Sequence, residues 1–121
     1  MRGDELRVIG AFTAWLTSDG WTVEREVDFC DVVAHRGMTT LYAEAKGRTA
    51  AVGLDVDTLY GQLLRRADVG AEGVVFGVVV PVEARAAALR VPEATRRALR
   101  VTVYVVDALG QVEVVEPSPL T

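Results

Sequence analysis

The chain reads as an α/β domain, with a mixed central sheet flanked by helices on both faces. Three observations lead there. Near the start, Val8, Ile9, Phe12, Trp15 and Leu16 recur at a spacing of three and four, as one face of a helix does. Short strand-like segments follow from Trp21 to Lys46. A later run, Gly73 to Val80, is apolar on both alternating faces, the pattern of a strand covered on both sides, and Val101 to Val106 reads as another buried strand.

The 121 residues suit one domain, 1–121, large enough for a core without disulfides. The single cysteine, Cys30, lies in an apolar run and reads as a small buried side chain. A net charge of −4 argues against a strongly basic nucleic-acid coat, although local basic patches are compatible with it. The first residues lack a signal-peptide pattern and no segment is long enough to span a bilayer, so a cytoplasmic protein without membrane association is expected.

Taken in order, the first helix is expected from Asp4 to Asp19, capped by Asp4 and ended by Gly20. Extending its apolar stripe backward lands on Glu5. That carboxylate either complements the helix dipole or faces a site at the end of the packed face. Trp21 to Val27 reads as a strand with Trp21 and Val23 inward and Glu24 and Glu26 outward. A hairpin then runs from Cys30 to Lys46, turning at Arg36-Gly37-Met38. Alternation puts Asp31 and Val33 on one face, opposite Cys30, Val32 and Ala34, and points Glu44 and Lys46 the same way as Thr40 and Tyr42. A hairpin that sets Asp31 beside Glu44 gathers two carboxylates, which repel unless a cation or proton separates them. Asp28 is a competing carboxylate in the preceding turn. Of the 13 Lys and Arg residues, Lys46 is the one lysine. A compact ammonium can approach a reacting water where a forked guanidinium cannot. The plainer alternative is that Glu44 and Lys46 form a solvent-facing strand pair.

After the small residues of Gly47 to Gly53, a second helix is expected from about Asp55 to Ala67. Val56, Leu59, Tyr60, Leu63, Leu64 and Ala67 form its apolar face, and Asp55, Gln62 and Arg66 one margin of it. Gln62 thus aims its amide at the carboxylates or at a phosphate, or is an ordinary boundary residue. Gly73 to Val80 is a central strand closed by Pro81. Val82 to Leu89 and Glu93 to Leu99 read as one broken helix or two short ones, with Pro92 opening the second. Arg85, Arg90, Arg96, Arg97 and Arg100 decorate them. Val101 to Val106 is another buried strand, and Gln111 to Glu116 returns as an edge hairpin.

This order and these residues resemble the PD-(D/E)xK nuclease superfamily, including archaeal Holliday-junction resolvases. The resemblance covers roughly the first two thirds of the chain. Asp31 looks like the motif aspartate, although Cys30 stands where the motif has proline. Glu44-Ala45-Lys46 looks like the (D/E)xK triplet, Glu5 like the helix-one glutamate, and Gln62 like the helix glutamine. The resemblance implies a restriction-endonuclease-like αβββαβ core, here with a C-terminal extra helix and β-hairpin. It also implies a Mg²⁺-dependent (or Mn²⁺-dependent) DNA endonuclease in repair, recombination or defence. Asp31, Glu44 and the Ala45 carbonyl would hold the metal, with Glu5 assisting a second ion. Lys46 would position water or stabilise charge at phosphorus, and Gln62 would orient Lys46 or substrate. Arg48, Arg65 and Arg66 are candidates for substrate phosphates. A homodimer, or a larger partner supplying specificity, would suit so short a chain. Two other functions remain open: a catalytically silent nuclease-fold module binding DNA or protein, and an interaction protein pairing through an exposed strand edge.

Overall fold

The apolar stripe near the start forms helix α1, Arg2–Ser18, and buries Val8, Ile9, Phe12 and Leu16. The computed structural model describes residues 2–27, 30–48, 51–66 and 71–116; Asp28 lies outside them, as do the side chains of Arg2, Val27 and Arg66. Gly20 ends α1 with φ +90, a left-handed conformation that a Cβ disfavours. The Trp21 N–H then reaches back to the Leu16 carbonyl at 3.0 Å, satisfying a group the helix end leaves free. Asp4 stands inside the first turn rather than capping it, because the helix begins two residues earlier than expected.

Strands β1 (Thr22–Val27), β2 (Cys30–Arg36) and β3 (Thr39–Ala45) form an antiparallel meander. Helix α2 (Val52–Arg66) then carries the chain back so that β4 (Val74–Pro81) lies parallel to β3. A parallel pair needs such a crossover, because a tight turn can only reverse direction. Helix α2 starts three residues before the expected Asp55, and the Asp55 N–H bonds the Ala51 carbonyl at 2.9 Å. After β4, a 3₁₀ turn at Val82–Ala84, α3 (Arg85–Ala88) and α4 (Glu93–Leu99) lead to β5 (Val101–Val106), parallel to β4. The segment is therefore two short helices, and Pro92 is the N-cap of the second. Strand β6 (Val112–Val115) returns antiparallel along β5, completing a sheet in the order β1-β2-β3-β4-β5-β6. This is the mixed, helix-flanked sheet expected, with the nuclease-like αβββαβ order at its start.

Strand alternation builds two cores. Val32, Ala34, Leu41, Ala43, Ala45, Val75, Val79 and Tyr104 pack with α1 on one face of the sheet. Phe76, Val78, Val80, Val101, Val103 and Val105 pack with α2 and the short helices on the other. Each fully buried Phe or Leu contributes about 1.5–3 kcal/mol, so both helices are held by burial rather than propensity. Arg96, one of the five arginines expected to decorate the surface, is instead buried, its Nε donating to the Val91 carbonyl at 3.1 Å.

Candidate functional site

The β2–β3 hairpin decides which side chains meet. Val32, Ala34, Ala43 and Ala45 belong to the α1 core, so alternation turns Asp31 and Glu44 to the face that α2 covers. Val32 lies opposite Ala43, and one more step along this register sets Asp31 opposite Glu44. Asp31 is half-buried, and its Oδ2 accepts the Ala45 main-chain N–H at 2.8 Å. Glu44 is 5% exposed. Carboxylates so far from water require a compensating cation or hydrogen bond.

Lys46 continues the parallel ladder, its N–H donating to the Val79 carbonyl at 3.1 Å. Its Nζ lies 3.9 Å from Glu5 Oε1, with both side chains about one-third exposed. Gly47 makes that approach possible. A Cβ there would fall 2.7 Å from the Asp4 carbonyl carbon and 2.9 Å from Glu5 Cα, so the strand end lies directly against the first turn of α1. Glu5 is thus more than a dipole partner: it meets the single lysine.

Beside this pair lies a cleft of about 200 Å³ lined by Asp4, Arg7, Arg48, Glu83 and Ala108. The Asp4 carboxylate accepts the Arg48 main-chain N–H and the Arg7 Nε, the latter at 3.0 Å. The Arg48 hydrogen bond, with help from Arg7, holds the Asp4 carboxyl below the usual carboxylate range against the opposing effect of burial. Arg7 also donates to the Asp107 carbonyl at 2.9 Å, and Arg48 stands 3.7 Å from Glu83. Sequence reasoning missed Arg7 and Glu83. Arg7 follows Asp4 at a helical i,i+3 spacing that was there to be read. Glu83 has no such signal, because it arrives from the turn after β4.

Other expected site residues are not gathered here. Helix α2 begins beyond the end of β3 and runs back toward the start of β4, so Gln62 lies about 15 Å along the axis from Val52, and it is exposed. Arg65, three residues further, is exposed as well. Arg66 closes α2, and its side chain lies outside the described residues. Among the described residues, no group of three or more His, Cys, Asp or Glu side chains is arranged to hold a metal. Glu5 faces Lys46 rather than completing a three-carboxylate set. His35 sits at the turn end of the hairpin beside Thr40 and Glu24, away from Asp31 and Glu44. Cys30 is buried, with its thiol 3.2 Å from the Ala43 carbonyl. No helix among the described residues is long and apolar enough to cross a membrane.

No family model and no curated protein matches the chain. Two solved structures share its fold. The crystal structure of an XisH family protein from Nostoc punctiforme PCC 73102 superposes with a TM-score of 0.62 at 16% identity, over 91% of this chain and 99% of that one. That of an fdxN element excision controlling factor protein from Anabaena variabilis gives 0.61 at 19% identity, over 88% and 95%. The likeness runs through nearly the whole length of both neighbours, and at these identities it is a likeness of fold.

Proposed function

We propose that this chain is a nuclease-fold protein acting on DNA during recombination, and that it hydrolyses phosphodiester bonds with the help of a divalent metal. The observation that carries the reading is the placement of Asp31 and Glu44 on adjacent strands of one sheet face, with Lys46 two residues further at the strand end. The recombination setting comes from the neighbour described as controlling excision of the fdxN element, since excision requires DNA to be broken and joined.

Two carboxylates and the Ala45 carbonyl are hard oxygen donors, which fit Mg²⁺, or Mn²⁺ in its place. Asp31, Glu44 and Ala45 would hold the ion, which when bound supplies a Lewis acid and a water of lowered pKa. Lys46 offers a compact cation for charge developing at phosphorus. Glu5 is assigned to positioning that ammonium rather than to a second metal. One such site cuts one strand, so cleavage of a duplex calls for a homodimer or a partner protein.

A second reading, a catalytically silent module that binds DNA or protein, is favoured by the 5% exposure of Glu44 and by the engagement of Lys46 with Glu5. Incubating the chain with linear, branched and single-stranded DNA, with and without Mg²⁺, separates the two. The nuclease reading expects metal-dependent cleavage that disappears in Glu44→Ala and in Lys46→Ala. Salt-dependent binding without cleavage supports the silent module. Cleavage that survives both substitutions removes these residues from the chemistry.

A further inference from the structure

We infer that the cleft lined by Asp4, Arg7, Arg48, Glu83 and Ala108 is a subsite for a phosphodiester of a nucleic-acid strand, with Glu83 holding Arg48 until a phosphate displaces it. The inference rests on the proposed nuclease-fold function and extends it to residues outside the Asp31, Glu44 and Lys46 group.

Position is the first argument. Strands β3, β4 and β5 are parallel and end at Ala45, Pro81 and Val106, so their carboxyl ends share one edge of the sheet. Ligands of open α/β sheets bind just beyond that edge. Arg48, Glu83 and Ala108 each stand two or three residues past one of these ends, and Asp4 and Arg7 reach them from α1. At about 30 Å³ per water, the cleft's volume of about 200 Å³ accommodates a phosphate with part of its hydration.

The two arginines are held differently. Arg7 is fixed by bonds to Asp4 Oδ1 at 3.0 Å and to the Asp107 carbonyl at 2.9 Å, a guanidinium oriented before any ligand arrives. Arg48 has a pinned backbone, its N–H on the Asp4 carboxylate, but a side chain 68% exposed. The Glu83 oxygen is 3.7 Å from its guanidinium, beyond hydrogen-bond length. An exposed pair of this kind is weak and readily exchanged, whereas a phosphate offers a guanidinium two parallel charge-assisted bonds. Displacing Glu83 also removes the carboxylate that offsets Arg48 in the free protein. Phosphate binding therefore competes with Glu83, and Arg48 is the residue through which the two compete.

The test is oligonucleotide binding in metal-free buffer, followed by fluorescence anisotropy over a salt series. Glu83→Gln is expected to tighten binding severalfold. Arg48→Gln is expected to weaken it and to reduce the salt slope by about one. In the Arg48→Gln background, Glu83→Gln should confer no further gain, because it acts through Arg48. An equal gain there would reduce Glu83 to a distant charge and overturn the latch. Inorganic phosphate is expected to compete only at far higher concentration than the oligonucleotide; equal competition would overturn the strand as ligand. If neither variant alters affinity while Mg²⁺-dependent cleavage still requires Glu44, the subsite fails and the nuclease reading stands. If affinity follows Arg48 and Glu83 but no DNA is cut, the subsite stands and the nuclease reading fails. No oligonucleotide binding by the unsubstituted chain in metal-free buffer would overturn the subsite, and none with Mg²⁺ added would overturn the nuclease reading as well.

Discussion

Glu5 and Lys46 meet at 3.9 Å across the junction between the first turn of α1 and the end of β3. An ion pair this exposed contributes about 0–1 kcal/mol to stability. Its proposed consequence is geometric: Glu5 holds the single ammonium of the chain at the end of the strand that carries Glu44. Glu5→Gln should therefore shift the melting temperature by no more than about 5 °C, yet lower metal-dependent cleavage about tenfold or more. Lys46→Ala should abolish cleavage, and Lys46→Arg should fail to restore it, because a guanidinium is forked and larger. Thermal melts beside cleavage rates check both. A Glu5→Gln variant with unchanged cleavage would leave the pair without a role in the chemistry.

Asp31 and Glu44 can be separated from the fold by conservative amides. In Asp31→Asn the side-chain oxygen can still accept the Ala45 N–H, so the hairpin keeps its hydrogen bond while losing the charge. The metal-free melting temperature of Asp31→Asn should stay near that of the unsubstituted chain. Mg²⁺ at a hundredfold over its dissociation constant should stabilise the unsubstituted chain by about 2.7 kcal/mol. Asp31→Asn and Glu44→Gln should each lose that increment, as read by thermal shift with and without Mg²⁺. An undiminished shift in either variant would take that carboxylate out of the metal site.

Much of this arrangement was legible in the sequence because it rests on periodicity. The i,i+4 recurrence of Val8, Phe12 and Leu16 is the buried face of α1, and strand alternation alone turned Asp31 and Glu44 to a common face. Periodicity does not report where along its axis a residue meets its neighbours. The sequence puts Gln62 at the margin of an apolar face and makes Arg65 a candidate for substrate phosphates, but the return direction of α2 takes both away from the Lys46 end. The cleft was harder still. Arg7, Arg48 and Glu83 come from a helix, a connection and a turn, and only the closing of parallel strands along one edge brings them together. The buried Arg96 shows the same limit, since a local bond to Val91 draws inward a residue type that is usually exposed.

Gly47 is required by space rather than by backbone angle, which gives a matched pair of alanine substitutions. Gly47→Ala drives a methyl into the Asp4–Glu5 backbone and should cost about 1–3 kcal/mol, as overpacking does. It should also loosen the Lys46–Glu5 pair and so depress cleavage. At Gly61, within α2, a methyl group would meet nothing within 4 Å beyond the adjoining backbone of its own helix, and Gly61→Ala should instead stabilise by about 0.5–1 kcal/mol. Urea unfolding of the two variants should give changes of opposite sign. A Gly47→Ala chain as stable as its parent would contradict the tight seating of the strand end on α1.

Acid sensitivity should trace in part to Asp4. The Arg48 main-chain N–H, and then Arg7, hold its carboxyl below the ordinary range, so the folded chain binds that proton less readily than the unfolded one. The contribution is complete above an unfolded aspartate pKa of about 3.9 and is lost as pH falls through the lower folded value. Asp4→Asn should therefore lower stability at neutral pH by an amount that is flat down to about pH 5 and shrinks below about pH 4. Glu113, lowered by its hydrogen bonds from Arg85, acts in the same acid window at the far side of the sheet and serves as a surface comparison. Glu113→Gln should show the same sign with a smaller effect, because that pair ties the start of α3 to an edge strand while Asp4 joins α1 to the segment just past β3. Urea unfolding of both variants across pH 3 to 7 reads the two curves. A stability difference for Asp4→Asn that stayed constant through the acid range would place the acid sensitivity on other carboxylates.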